Sequence, residues 1–318
     1  MPAVSVVIPT RNRAEILKVA IASVFAQTYS DLELIIVIDG PDQTTEDSLK
    51  RISDHRLKVV VNPSNVGLAE ARNVGVRHTQ GKWVAFLDDD DEWLPEKLTK
   101  QIQKAQSVAG THVLVVSRFL EQSNNMERVW PELLPESAHR LSEYMYLKRG
   151  LMLPSTYFVS RQLLTDIPFT PGLRHLEDVD WLLRIADDPR TQITAVPDCL
   201  TVYNNFHTPG RESLVGRWQV YLNWAVNHRH LFTPFAFSLY IVKTIVPKAK
   251  LGNASARELL YLLTTALLLG SFRPRVLFFF IASACFTADF KRQVRESISP
   301  RARSARKVSK RIHSGAAV

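Results

Sequence analysis

Short, unbroken apolar runs recur through the first hundred residues: Val4 to Ile8, Leu32 to Ile38, Leu57 to Val61 and Trp83 to Leu87. Between them, Glu15 to Ala26 and Leu68 to His78 carry apolar positions at helical spacing. The runs VSVVI, LELIIVI, LKVVV and WVAFL predict strands buried on both faces, since a half-exposed strand would alternate apolar with polar residues. Strand and helix in alternation predict a mostly parallel sheet with helices over both faces. In open sheets of this kind ligands lie beyond the carboxyl ends of the strands. The predicted site is therefore assembled from Pro9 to Arg13, Asp39 to Asp42, Asn62 to Asn65 and Asp88 to Glu92.

The last of these segments is the most distinctive, because a buried run opens directly into Asp88, Asp89, Asp90 and Asp91. Neighbouring carboxylates repel by several kcal/mol at short range in an effective dielectric of about 20, so a cluster in a cleft invites a cation. Extended geometry would point Asp88 and Asp90 to one side and Asp89 to the other, one toward a divalent metal and the other toward a sugar or ribose hydroxyl. All-oxygen ligands suit Mg²⁺ or Mn²⁺ more than Zn²⁺. The plainer alternative is that these acids complement the dipole of a helix predicted over Pro95 to Ala105.

Composition narrows the class. The chain has 318 residues, 46% of them apolar, enough for a sizeable core. Two cysteines, Cys199 and Cys285, fit a reducing compartment. No charged region precedes the first apolar run, which ends at Pro9, so it reads as a strand and not as a leader. Of the net charge of +9, residues 291–318 contribute +8, from nine Lys/Arg against one acid, and residues 1–290 stay near +1. The basicity is thus expected to belong to a tail.

The segments VSVVIPTRNR, IASVFAQTYSDLELIIVIDG, NVGLAEARNVGVRHTQGKWVAFLDDDDEWLP and HLEDVDWLLR together resemble the family 2 glycosyltransferases over about residues 3 to 210. The resemblance implies a Rossmann-like glycosyltransferase A fold and an inverting transfer of sugar from a nucleotide-sugar donor, UDP-linked in the expected case, to an acceptor hydroxyl. It also implies Mn²⁺ or Mg²⁺ on the diphosphate. By the same resemblance Pro9, Thr10, Asn12 and Arg13 form the first donor loop and Asp39 hydrogen-bonds the base, a role a carboxylate can fill by accepting the imide N–H of uracil. This chain departs from the family pattern by reading Ile38-Asp39-Gly40-Pro41, and an ordinary turn would explain Gly40 and Pro41 unaided. Arg72 is expected toward the nucleotide, stacked on the base or bonded to donor oxygens. Asp88 and Asp89 are expected at the donor, Asp88 and Asp90 at the metal, and Asp178 as the catalytic base, with Glu177 and Asp180 as helix-start acids. Tyr203 to His207 and Ser213 resemble a loop that closes over the diphosphate, which makes His207 a candidate metal ligand. Gly81 reads as a helix terminator.

The middle of the chain is less legible. His112 to Val116 and Met152 to Phe158 read as strands and Glu121 to Arg128 as a polar loop, while Trp130, Tyr144 and Tyr146 are either sugar platforms or core. The expected domains are a catalytic domain over 1–215, with a donor half to about 115 and an acceptor half beyond, a helical extension over 216–290 and a disordered basic tail over 291–318. In the extension, Trp218 to Trp224, Phe235 to Val246, Glu258 to Leu269 and Val276 to Phe286 read as helices, the last two too short for the roughly 20 residues that span a bilayer. They either pack on the catalytic domain or lie at a membrane interface, and an anionic membrane surface is a candidate partner through residues 258–311. Nucleic acid is the less favoured partner of that tail.

The function expected is metal-dependent sugar transfer from a nucleotide sugar to a glycan or lipid-linked acceptor in cell-surface polysaccharide synthesis, in the cytoplasm or on the inner membrane face. Two alternatives stay open: a non-catalytic nucleotide-sugar-binding or membrane-docking protein of the same fold, and a nucleotidyltransferase. The latter calls for a glycine-rich, lysine-containing phosphate loop after the first strand, and Pro9 to Arg13 holds no glycine.

Overall fold

The computed structural model describes residues 2–123, 126–135, 140–173, 175–205 and 217–285. The elements in chain order are β1 (Val4–Thr10), α1 (Ala14–Phe25), β2 (Leu32–Ile38), α2 (Gln43–Leu49), β3 (Leu57–Val61), α3 (Leu68–Arg77), β4 (Trp83–Phe86), β5 (Glu92–Trp93), α4 (Lys97–Gln106), β6 (His112–Ser123) and β7 (Met126–Trp130). There follow α5 (Leu141–Tyr146), a 3₁₀ turn over Pro154–Thr156, β8 (Phe158–Ser160), α6 (Arg161–Asp166), α7 (Glu177–Asp187) and β9 (Thr191–Asn204). After residue 216 come α8 (Trp218–Asn227), α9 (Pro234–Tyr240), a π-helical turn over Ile241–Ile245, α10 (Val246–Leu251), α11 (Ala256–Leu268) and α12 (Pro274–Cys285). Residues 1–139 with 151–206 form one compact unit, and 140–150 with 207–318 form the other.

The first unit is built on one sheet of strand order β3-β2-β1-β4-β8-β6-β9-β5, with β7 paired to β6. Its first half is parallel throughout, β1 beside both β2 and β4 and β2 beside β3. Beyond β4 it becomes mixed, because three-residue β8 is inserted antiparallel between β4 and β6. Every residue of β1 and β2 is buried, as the unbroken runs predict. The Leu57–Val61 run differs: it is the edge strand, and Val59 and Val61 are exposed. Helix α1 closes over the core with Leu17, Ala20, Ile21 and Val24.

Several expectations change. Gly81 does not end a helix; a Cβ there would stand 2.8 Å from the Ser5 backbone nitrogen, and its own N–H donates to Ser5 Oγ at 2.9 Å. Its lack of a side chain lets the entry to β4 lie against β1. Helix α2 was not expected, since Gln43 to Leu49 has no apolar period; the Asp42 carboxylate caps it by accepting from Thr45 N–H at 3.1 Å. In the polar stretch Glu121 to Arg128, residues 121–123 end β6 and residues 126–128 begin β7, which pairs with it antiparallel, and Met152 to Phe158 holds a 3₁₀ turn over Pro154–Thr156 with only Phe158 in a strand.

The second unit is helical. Its core holds Phe235, Phe237, Leu239, Tyr240, Ile245 and Leu262; Tyr144 is buried, and the half-buried Tyr146 packs against Phe232 and Tyr240. The single helix expected over Phe235 to Val246 is broken into α9, a π turn and α10. Pro247 has no N–H to offer a carbonyl one turn back, and the wider π register falls in that turn. The near-neutrality of residues 1–290 proves to be a cancellation. The first unit carries 19 Lys/Arg against 26 acids, and the second, up to residue 290, carries 12 against 4. Basicity is therefore a property of the helical unit as well as of the tail.

Candidate active site

β4 ends at Phe86, and the aspartates form a turn in which Asp91 N–H donates to the Asp88 carbonyl at 3.1 Å. This replaces the extended geometry expected of them. The turn relieves repulsion by setting the carboxylates against cationic and hydroxyl partners. Asp88 accepts from Arg72 Nη2 at 2.7 Å, and Asp89 from Thr10 Oγ1 at 2.7 Å and Arg13 Nη1 at 2.9 Å. Asp90 meets the same Arg13 nitrogen at 3.1 Å, so Asp89 and Asp90 share one cation instead of facing apart. Burial pushes the Asp89 carboxyl up to about 6, against the pull of Arg13 and Thr10.

Asp91 has a different place. It is 1% exposed, accepts from Ser155 Oγ at 2.5 Å, and is held well above the usual carboxylate range by burial and then by Asp88. Ser155 Oγ also accepts the Asp88 N–H at 3.1 Å, so this one hydroxyl ties both ends of the turn. Its carbonyl in turn accepts from Trp93 Nε1 at 2.8 Å and Thr201 Oγ1 at 3.2 Å. Nothing local in Leu153-Pro154-Ser155-Thr156 signals this role; only the fold brings Ser155 under the turn. Asn204, at the end of β9, donates through Nδ2 to the Asp90 carbonyl at 2.9 Å.

The first donor loop runs from β1 into α1. Pro9 is buried in β1 opposite Val37, and Thr10 and Arg13 reach the acidic turn. Asn12 has a positive φ of 54°, and its N–H donates to Asp42 at 2.7 Å. Asn12, Arg13, Glu15, Asp42 and Thr45 line an open cleft of about 400 Å³, within the size range of small-molecule pockets. Asp39, at the end of β2, accepts from Asn62 Nδ2 at 3.1 Å, Val66 N–H at 2.8 Å and Gly67 N–H at 2.9 Å. Both its oxygens anchor the 62–67 loop, where Gly67 takes the φ of 87° that starts α3.

Arg72 lies on α3 and is 1% exposed. Expected toward the nucleotide, it is bonded to Asp88 beneath the acidic turn, 3.6 Å from Glu177 Oε1 and 5.6 Å over the Phe169 ring. Its Nε and Nη1 and the Glu177 Oε2 have no hydrogen-bond partner, so polar capacity in this buried pair is left over. Asp178 follows on the first turn of α7 and accepts Val179 N–H at 2.8 Å. Burial, then the adjacent Glu177, push its carboxyl up to about 6, although Arg72 pulls it down. Asp180 is engaged by Thr170 Oγ1 and Arg184 Nε at 2.6 and 2.7 Å, a structural tie. Among the described residues no three acidic, imidazole or thiol side chains close on one point as a metal shell. His207 and Ser213 lie outside the described residues.

Comparison with known proteins agrees with this architecture. The family model described as glycosyl transferase family 2 matches residues 5–164. The uncharacterized glycosyltransferase MJ1057 of Methanocaldococcus jannaschii is 30% identical over 224 residues, covering 68% of this chain and 74% of that protein. The Escherichia coli UDP-Glc:alpha-D-GlcNAc-diphosphoundecaprenol beta-1,3-glucosyltransferase WfgD is 36% identical over 185 residues, 58% of this chain and 70% of its own length. The mannosyltransferase PcManGT of Pyrobaculum calidifontis, solved with GDP-Man and Mn²⁺, superposes with a TM-score of 0.56 at 18% identity, covering 89% of this chain and 86% of that one; this likeness bears on fold alone. With half its length matched by the family model and the sheet arranged as in a glycosyltransferase A fold, this chain is a glycosyltransferase belonging to family 2.

Proposed function

We propose that this enzyme moves a sugar from a UDP-linked donor, with inversion, to a hydroxyl of a lipid-linked or glycan acceptor in surface polysaccharide assembly. The observation that carries the reading is the joining, through Arg72, of the acidic turn at the end of β4 to the start of α7, where a carboxyl is held near a pKa of about 6. The activity that WfgD's name states, transfer from UDP-Glc to a diphosphoundecaprenol-linked sugar, supports the donor and acceptor class.

The residues present fit a hard divalent cation. Asp88, Asp89 and Asp90 gather on Arg13 and Arg72, with Glu177 and Asp178 beside Arg72, and such an acidic cluster suits a cation. Mg²⁺-type ions are commonly held by one or two carboxylates, with water and substrate phosphates completing the shell, so a closed protein cage is not required. Asp88 and Asp90 would hold the ion, which when bound neutralises charge developing on the departing diphosphate. Asp178 removes the acceptor proton as the acceptor oxygen forms its bond to the anomeric carbon. The bond to the nucleoside diphosphate breaks on the opposite face, which gives inversion. Asn12, Arg13 and Asp39 orient the nucleotide end, and Arg72 holds Asp88 in place from below.

Asp178→Asn keeps the side chain's size and removes its basic site. Since a general base contributes roughly 10²- to 10⁴-fold, transfer from UDP-glucose to a diphosphoundecaprenol-linked sugar should fall at least about a hundredfold with donor affinity little changed. Asp90→Ala should abolish the Mn²⁺ dependence of UDP-sugar binding measured by calorimetry. Wild-type turnover by Asp178→Asn would move the base elsewhere, and unchanged Mn²⁺ dependence in Asp90→Ala would remove the metal role.

A further inference from the structure

The helical unit presents an apolar surface that its own core does not cover. α11 and α12 pack on one another, yet α11 buries only Leu262, Thr265 and Ala266, and α12 only Val276 and Ser283. The remainder of both helices is rich in large apolar side chains. At the turn between them Leu268 is 83% and Phe272 86% exposed, and Phe278 is 67% exposed. Seven-residue spacing sets Tyr261 in line with Leu268 on α11, and three-residue spacing sets Phe278 beside Ile281 on α12.

The turn is held firmly. Arg229 Nε donates to the Leu269 carbonyl at 2.6 Å, and Ser271 N–H donates to Ser238 Oγ at 2.8 Å. Gly270 sits so close that a Cβ would fall 2.2 Å from that same Oγ. Leu268 and Phe272 are therefore presented to the outside by a pinned backbone, and contiguous exposed apolar surface of this kind marks an interaction site.

Charge selects the occupant. Residues 217–285 carry eight Lys/Arg and one acid, Glu258, which is spent on the capping box of α11. Arg273 and Arg275 flank the turn directly, with Arg273 stacked 4.5 Å over the Phe235 ring. A protein partner would meet mixed charge, whereas a sheet of anionic headgroups over hydrocarbon matches an apolar tip with a basic collar. At 1.5 Å per residue, helices of 12 and 13 residues reach about 18 to 20 Å, short of a hydrocarbon core of about 30 Å. Among the described residues no helix is long and apolar enough to cross a membrane.

We propose that the α11–α12 turn, led by Leu268 and Phe272 and collared by Arg273 and Arg275, inserts into the headgroup and upper acyl layer of an anionic bilayer. This assignment does not depend on which sugar is moved. It narrows the membrane contact expected over residues 258–311 to a folded element, with the tail adding only long-range attraction.

The test is flotation of the full chain with phosphatidylcholine vesicles containing or lacking about a quarter phosphatidylglycerol. Wild-type protein should float with the anionic vesicles. The double variant Leu268→Ser/Phe272→Ser should partition at least about tenfold more weakly, because two large apolar side chains no longer leave water. Its unfolding midpoint should not fall, since both positions are exposed. Arg273→Gln/Arg275→Gln should lose about fivefold per charge at low salt and little at high salt. Unchanged flotation of the Leu268→Ser/Phe272→Ser protein overturns the proposal. So does loss of flotation on neutralising only the lysines and arginines of residues 291–311. A wild-type chain that ignores vesicles but forms a dimer in sedimentation velocity, split by the same double variant, assigns the face to a second copy instead.

Discussion

At the residue scale, the site shows how surroundings turn identical carboxyls into different devices. Four consecutive aspartates end in three situations: Asp88 on a buried arginine, Asp89 and Asp90 sharing Arg13, and Asp91 sealed beneath them on Ser155. Ser155→Ala would leave the buried Asp91 carboxylate and the Asp88 N–H each short of a partner. A loss of about 1 to 3 kcal/mol in denaturant unfolding is expected, with weaker UDP-sugar binding by calorimetry. Ser155→Cys, which retains a weak donor and acceptor, should recover part of both. Asp178 supplies a pH prediction. A base must be ionised to act, and burial holds this carboxyl near 6, so log kcat/KM should rise with pH up to about 6 and then level, where an ordinary aspartate would level near 4. The linkage has the opposite sign for stability. The folded state binds the proton more tightly than the unfolded chain, so this group's contribution is present at low pH and is lost as pH rises through about 6. Removing the neighbouring charge in Glu177→Gln should move the kinetic limb downward.

At the element scale, the positions of the site residues follow from how closely strands and helices approach. Gly81 admits β4 to β1 in the register that places Val4 opposite Trp83 and Val7 opposite Phe86, two residues before the acidic segment begins. In Gly81→Ala the added methyl would collide with the Ser5 backbone at 2.8 Å, which cannot swing aside as a long side chain can. A destabilisation of about 1 to 3 kcal/mol is expected in urea unfolding, and an unchanged midpoint would show that β4 tolerates the shift. The polar helix α2 teaches a related lesson. It buries only Thr45 and Leu49, and depends on the Asp42 cap that also fixes Asn12 in the first donor loop.

At the scale of the whole molecule, charge is divided by unit. Residues 1–139 with 151–206 carry a net −7, and residues 140–150 with 207–318 carry +16. A chain ended after Phe290 has a formal charge of only about +1. It should nonetheless be retained by a cation exchanger at low salt, because its positive charge is gathered in the helical unit, and should elute at lower salt than the full chain. Flow-through of the shortened chain would show that the tail alone supplies the attraction.

The sequence by itself determined much of the donor side. The runs Leu32–Ile38 and Leu57–Val61 are strands over those same residues, and the segments that follow the first four strands do meet at one end of the sheet. Periodicity made this readable, because burial on both faces demands an unbroken apolar run such as Leu32–Ile38, and Leu57–Val61 kept the same β-branched pattern although it lies at the sheet edge. The order of motifs also carried the family. What only the tertiary structure decided was which partner each polar residue takes. Arg72 sits under Asp88 rather than on an open surface, Ser155 clasps a turn more than sixty residues earlier in the chain, and the helix α7 acid is tuned by burial that no local pattern encodes. The same holds for strands too short or too polar to advertise themselves, such as β5, β7 and β8, which exist because neighbouring strands were there to pair with. Hydrophobic pattern is a property of neighbours along the chain, whereas hydrogen-bond partners, desolvation and edge pairing are properties of neighbours in space.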